Sequence, residues 1–156
     1  MIQISLSKQI LTFLSPQQNF EYSISTAENG GGQLSGTGCT PLGEHVIRAK
    51  IGGDEPEGAV FVARRPTGEV YSQTLSLMHP ERDWILSRIL WLSGTEVGSN
   101  RLGNVDTMRR YIYIHGTPDT EPMGVPRSHG CIRMRNNDLI HLFNHTPVGT
   151  IVSITL

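Results

Sequence analysis

No stretch of this sequence carries the eighteen or so consecutive apolar residues that a membrane-crossing helix needs. No membrane partner is expected. Charge of either sign is also not in excess, with 13 Lys and Arg against 14 Asp and Glu. That balance gives no general attraction to nucleic acid or anionic lipid, and leaves any charge recognition to local groups. Cysteine is scarce. Cys39 and Cys131 stand in unlike contexts, so no disulfide framework is signalled, and in a cytosolic protein both are expected as thiols. The first residues, MIQISLSKQILTFL, lack an unbroken apolar core and a small-residue cleavage site. A cytoplasmic location is expected from this; the periplasm is the alternative, if the gene product starts upstream of Met1 or export is non-standard.

Glycine and proline are plentiful, 17 and 9 residues, a density of punctuation that suits short strands joined by turns rather than a helical bundle. Alternation at Ile2, Ile4 and Leu6, then Ile10 to Leu14, predicts two short strands or a hairpin. Further strands are expected at Tyr22 to Ser25, Glu44 to Ile51, Ala59 to Ala63, Tyr111 to His115 and Thr150 to Leu156. The run Gly30-Gly31-Gly32 reads as a flexible connector, and GGDEPEG as solvated surface. Residues 82–93 fit a short helix leading into a strand, and Trp84 and Trp91 within them suit either core or site. Asn136 to His145 reads as a short amphipathic helix. The long polar stretch 94–110 has the composition of a flap over a site. No repeat or linker divides the chain. One mostly β domain over 1–156, with one or two short helices, is expected.

Chemistry concentrates in YIYIHGTPDTEPMGVPRSHGCIRMRNND, residues 111–138. A cysteine attacks carbonyls only as its thiolate, so it needs a base to take its proton and a group to orient that base. His115 and His129 are both candidates. His129 and Cys131 are one residue apart, so an extended backbone would put them on one face; His115 ends a predicted strand and could approach from a neighbouring one. Gly130 lets backbone amides crowd a tetrahedral oxyanion, and the Arg133 fork suits a substrate carboxylate. Singly, each residue is as well explained as structure. Together, two His, a Ser, a Cys and an Arg beside a glycine point to thiol-dependent acyl transfer.

The segment Ser128-His129-Gly130-Cys131-Ile132-Arg133-Met134, followed by Asn136 and Asp138 and preceded fourteen residues earlier by His115-Gly116, resembles the signature of the L,D-transpeptidase catalytic domain (YkuD-type). Thr40-Pro41-Leu42-Gly43 is similar to an upstream element of such domains. The resemblance covers about residues 35–156. It implies an L,D-transpeptidase-like β-sandwich or barrel. In that family's pattern Cys131 attacks the carbonyl between meso-diaminopimelate and D-alanine of a peptidoglycan stem tetrapeptide. The base is then His115, held by the carbonyl of Gly116, with His129 as a supporting neighbour. Amides near Gly130 and Cys131 form the oxyanion hole, and Ser128, Arg133 and Asn136 hold the loop or the substrate.

Water as acceptor makes the enzyme an L,D-carboxypeptidase that trims tetrapeptide to tripeptide in cell-wall recycling. This outcome is expected for a chain without an export signal. The alternative is an L,D-transpeptidase that forms cross-links or exchanges D-amino acids. His141 and His145, at i and i+4, raise a zinc hydrolase as a lower alternative, though no HExxH glutamate accompanies them. A catalytically dead peptidoglycan-binding module is a third reading, against which the intact motif argues. Cys39 reads as structural. The proposed chemistry calls for no cofactor and no metal, since nucleophile and base are both side chains.

Overall fold

A computed structural model describes all 156 residues. The alternating N-terminus folds as a hairpin of β1 (Ile2–Ser5) and β2 (Ile10–Leu14), and β3 (Asn19–Ser25) continues the meander. Next come β4 (Gly43–Ile51), β5 (Ala59–Val62), β6 (Arg65–Val70), helix α1 (Gln73–Met78) and β7 (Ile85–Gly94). The chain ends with β8 (Tyr113–Gly116), β9 (Ile132–Met134), helix α2 (Asn136–His145) and β10 (Ile151–Thr155).

Hydrogen bonding runs β4-β10-β1-β2-β3-β9-β8-β7, and β4 also pairs with β7. Eight strands therefore close on themselves, with the β5–β6 hairpin added outside β7. Closure removes sheet edges, and at eight strands the interior is just wide enough for side chains to fill. Nineteen buried residues fill it, among them Ile2, Ile4, Leu11, Ile24, Ile47, Leu90, Ile114, Ile132 and Val152. Each large aliphatic side chain so buried contributes on the order of 2 kcal/mol of transfer free energy. Helix α2 adds Leu139, Leu142 and Phe143 to the same cluster and lies against β7 and β8. The mostly β, single-domain expectation holds, with two short helices.

Two local readings are corrected. Residues 85–94 are strand with no helical lead-in: β7 pairs with β4, β5 and β8, and residues 86–90 are buried on both faces. A doubly covered strand loses its alternation, and its apolar run imitates a helix. The helix lies earlier, at α1, where Ser72 Oγ caps the Leu75 amide at 3.1 Å; with no residue buried, α1 carries no apolar stripe to detect. The Gly30 to Gly32 run is no loose connector either. Gly32 N–H donates to Thr40 O and Thr40 N–H to Gly30 O, and a Cβ on Gly32 would stand 3.0 Å from Cβ of Cys39.

Candidate active site

Strands β8 and β9 run parallel, with Ile114 opposite Ile132 and His115 opposite Arg133. Alternation then sends Ile114 and Ile132 into the core and places Tyr113 and His115 on the opposite face. Cys131, one step before β9, comes beside Tyr113. Its Sγ accepts the Tyr113 amide hydrogen at 3.3 Å and donates to the carbonyl of Tyr111, also at 3.3 Å. Cys131, His115, His129, Arg133, Ser128 and Tyr113 share one cleft of about 290 Å³.

His115 is buried, and its Nδ1 lies 2.6 Å from the carbonyl of Gly116. A carbonyl can only accept, so Nδ1 carries the hydrogen and Nε2 keeps its lone pair for a proton. Burial holds the imidazole below its ordinary pKa, partly opposed by that hydrogen bond. Burial pushes the Cys131 thiol up to about 12, with the Tyr113 amide acting in the opposite sense. The resting pair is thus a neutral thiol and a neutral imidazole.

Gly116 is backed by Asn136. Its Nδ2 donates to Thr117 O at 3.0 Å and its Oδ1 accepts from Ser87 Oγ at 2.6 Å. A Cβ on Gly116 would meet that Oδ1 at 2.2 Å and Leu86 O at 2.6 Å, so only glycine fits. Asn136 thus supports the strand that aims His115, and its amide is engaged within the protein, not held out toward a substrate.

His129 and Cys131 do not lie on an extended backbone. Gly130 between them has φ +133°, and a turn swings His129 outward, leaving its side chain 75% exposed with Nδ1 3.7 Å from Asp83 Oδ2. The shared-face expectation for this pair is therefore corrected. Ser128 also turns inward: its hydroxyl donates to Cys131 O at 2.5 Å and accepts the Gly130 amide at 3.2 Å. With that amide occupied, the backbone N–H groups left without a partner at this bend are those of His129 and of Cys131 itself.

Arg133 is buried against two acidic groups. One arm lies 3.1 Å from Asp83 Oδ1; the other lies 3.5 Å from Glu121 Oε2 and 3.4 Å from the carbonyl of Arg127. It ties the 117–131 crossover to the sheet, and its charge is matched within the protein. Asp83, which joins Arg133 and His129, carried no motif. Thr40, within the Thr-Pro element, proves to brace the site: buried, it accepts the Ala27 amide and donates to Gly130 O at 2.9 Å. The stretch 94–110 is pinned by Asn100 to Leu42 O and Glu44 O and by Thr107 to His45, and only Arg110 of it reaches the cleft.

Helix α2 holds no second centre. His141 Nδ1 bonds Tyr22 OH at 2.5 Å, His145 Nδ1 bonds His141 O at 2.7 Å, and no group of three or more His, Cys, Asp or Glu converges to hold a metal ion. What the cleft can do is thiol acyl transfer: a base with one free nitrogen, a nucleophile in the same cleft and an unpaired amide at the nucleophile's own residue, on a closed β scaffold.

The chain belongs to the L,D-transpeptidase catalytic domain family (YkuD), whose model matches residues 1–154. The match takes in the N-terminal strands that no motif had marked. Curated relatives include a probable L,D-transpeptidase ErfK/SrfK of Salmonella typhimurium, 51% identical over 45 residues. Those residues are 29% of this chain and 15% of that protein. A putative L,D-transpeptidase YqjB of Bacillus subtilis is 55% identical over 42 residues, 27% of this chain and 24% of its own. The L,D-transpeptidase of Mycobacterium smegmatis shares the fold, with a TM-score of 0.57 at 17% identity over 99% of this chain. The chain spans 58% of that structure, and its match to the curated relatives takes in less than a quarter of their length.

Proposed function

We propose that this domain opens the L,D bond between meso-diaminopimelate and D-alanine in peptidoglycan stem tetrapeptides, with Cys131 as nucleophile and His115 as base. The observation that carries this reading is the parallel β8–β9 register, which puts both residues on one face of adjacent strands. His115 Nε2 takes the thiol proton as sulfur bonds to the carbonyl carbon, and the Cys131 amide receives the oxyanion. Collapse breaks the C–N bond, and the imidazolium returns its proton to the departing amine of D-alanine. Water, deprotonated by His115, then adds to the thioester carbon; the C–S bond breaks, the imidazolium returns its proton to the Cys131 sulfur, and the tripeptide leaves with a new carboxylate.

Water is favoured over an amine as acceptor by the charge of the cleft. Arg64 and Arg110 line it with no carboxylate partner, while Arg133 is matched by Asp83 and Glu121. An incoming ammonium acceptor is repelled there; water is not. A trimming reaction of this kind belongs to recycling in the cytoplasm, the compartment proposed here; cell fractionation that found the protein only outside the inner membrane would overturn that placement. The activity is tested by mass spectrometry of a stem tetrapeptide incubated with wild type and Cys131→Ala, with and without an added D-amino acid. Cys131-dependent loss of D-alanine, indifferent to the added amine, supports the carboxypeptidase. Efficient exchange of the added D-amino acid turns the reading to a transpeptidase, and an unchanged substrate removes it.

A further inference from the structure

The β5–β6 hairpin turns through Ala63 and Arg64, whose φ values are 49° and 64°. Two left-handed residues in succession make the tight hairpin turn that Asn-Gly satisfies without strain, and neither occurs here. Strain retained at a non-glycine pair is a reason to ask what the side chain does. The Arg64 guanidinium lies over the ring of Tyr111, 4.5 Å from its centroid, and 5.1 Å from that of Trp91; its Nη1 donates to Tyr113 OH at 2.9 Å. Tyr113 is the residue whose amide touches Cys131 Sγ, and Arg64 lines the same cleft.

The three cleft guanidiniums are not equivalent. Arg133 faces Asp83 and Glu121, and Arg110 donates to the carbonyls of Gly32, Gln33 and Cys39. Arg64 forms no ion pair, and one phenol takes one of its five N–H groups. It is half-buried, held flat by aromatic faces and still open on its remaining edge. Such a fork matches a carboxylate bidentately, and stacking has already restricted the side chain's freedom.

We propose that Arg64 is a specificity residue that binds a free carboxylate of the acyl donor beside the scissile bond. This rests on the function proposed above, and two carboxylates of such a donor flank that bond: the C-terminal one of D-alanine and that of the diaminopimelate side-chain centre. Arg133, named from the motif, keeps the crossover in place instead.

The test measures kcat/KM for D-alanine release from three peptides: the tetrapeptide with both carboxylates free, its C-terminal amide, and the peptide amidated on the diaminopimelate side chain. Wild type, Arg64→Gln and Arg64→Lys are compared. Arg64→Gln is expected to lose about 10- to 100-fold on the free peptide, the range for a hydrogen bond to a charged group. Amidating the carboxylate that Arg64 binds costs wild type a similar factor and costs Arg64→Gln nothing more. The amide with that behaviour identifies the carboxylate. Arg64→Lys recovers part of the loss, having charge without the fork. An Arg64→Gln enzyme equal to wild type on all three peptides overturns the inference, as does an equal loss on all three, which marks a structural role for the hairpin. Turnover of none of them by wild type overturns the proposed acyl donor itself, and this inference with it.

Discussion

Cys131 and Cys39 are both free and both half-buried, yet of the two only Cys131 lines the cleft that holds His115. Cys131 immediately precedes β9, with Tyr113 N–H on its sulfur and the His115 imidazole in the same cleft. Cys39 sits in a turn, its Sγ 3.5 Å from Asn29 O, and contributes to the site through its carbonyl, which accepts from Arg110 at 2.5 Å. Depth does not separate the two. Their neighbours do: a thiol needs a proton acceptor and an oriented amide, and a parallel strand pair supplies both where a turn does not.

The comparison breaks most sharply on activity. Cys131→Ala should lower kcat/KM for D-alanine release by about 10³-fold or more, while Cys39→Ala, which keeps the backbone carbonyl, should stay within about twofold of wild type. Equal losses would mean that the two sulfurs act as a pair. Next comes the link between them. Thr40 follows Cys39 and its hydroxyl holds Gly130 O, so Thr40→Val leaves that carbonyl and the Ala27 amide unpaired. A loss of about 1–3 kcal/mol in urea unfolding is expected; a midpoint unchanged from wild type would show that the two turns do not depend on each other.

A third difference concerns reactivity at rest. A thiol pushed up to about 12 is neutral through the physiological range, and its thiolate fraction grows about tenfold per pH unit below that value. Alkylation of Cys131 by iodoacetamide, followed in a Cys39→Ala background, should therefore climb steadily from pH 7 to pH 10. A plateau beginning near neutrality would reveal a thiolate–imidazolium pair instead of the neutral one.

Much of the fold was legible because its strands are short, punctuated and one-sided: β1, β2 and α2 stand where alternation or a helical stripe put them. Legibility failed at β7, whose two faces are both covered, and at α1, which has no fully buried residue and packs only Leu75 against the core. At the site, Cys131 and His115 were visible as a motif, since reactive groups must be close in space and here lie close in sequence as well. Asp83 and Arg64 were not. They precede His115, the first residue of the motif, by 32 and 51 residues, and nothing local marks a residue whose partners are chosen by topology. His129 and Ser128 were legible as members of the motif, but their geometry was not, because one residue at φ +133° reverses the side chains on either side of it.

Strand β9 has three residues, antiparallel to β3 on one side and parallel to β8 on the other. So short a strand has little stability of its own and gains its hydrogen bonds only when both flanks exist. One flank is more than a hundred residues away in sequence, a separation whose closure entropy makes such pairings slow. Strand β9, which leads out of Cys131, is therefore expected to be the last stave set into the barrel. In refolding from urea, recovery of D-alanine release should trail recovery of the far-ultraviolet strand signal, and coincident recoveries would place β9 among the early strands. Should β9 come last, assembly order would act as a safeguard: a chain still folding would have the cysteine without the cleft around it.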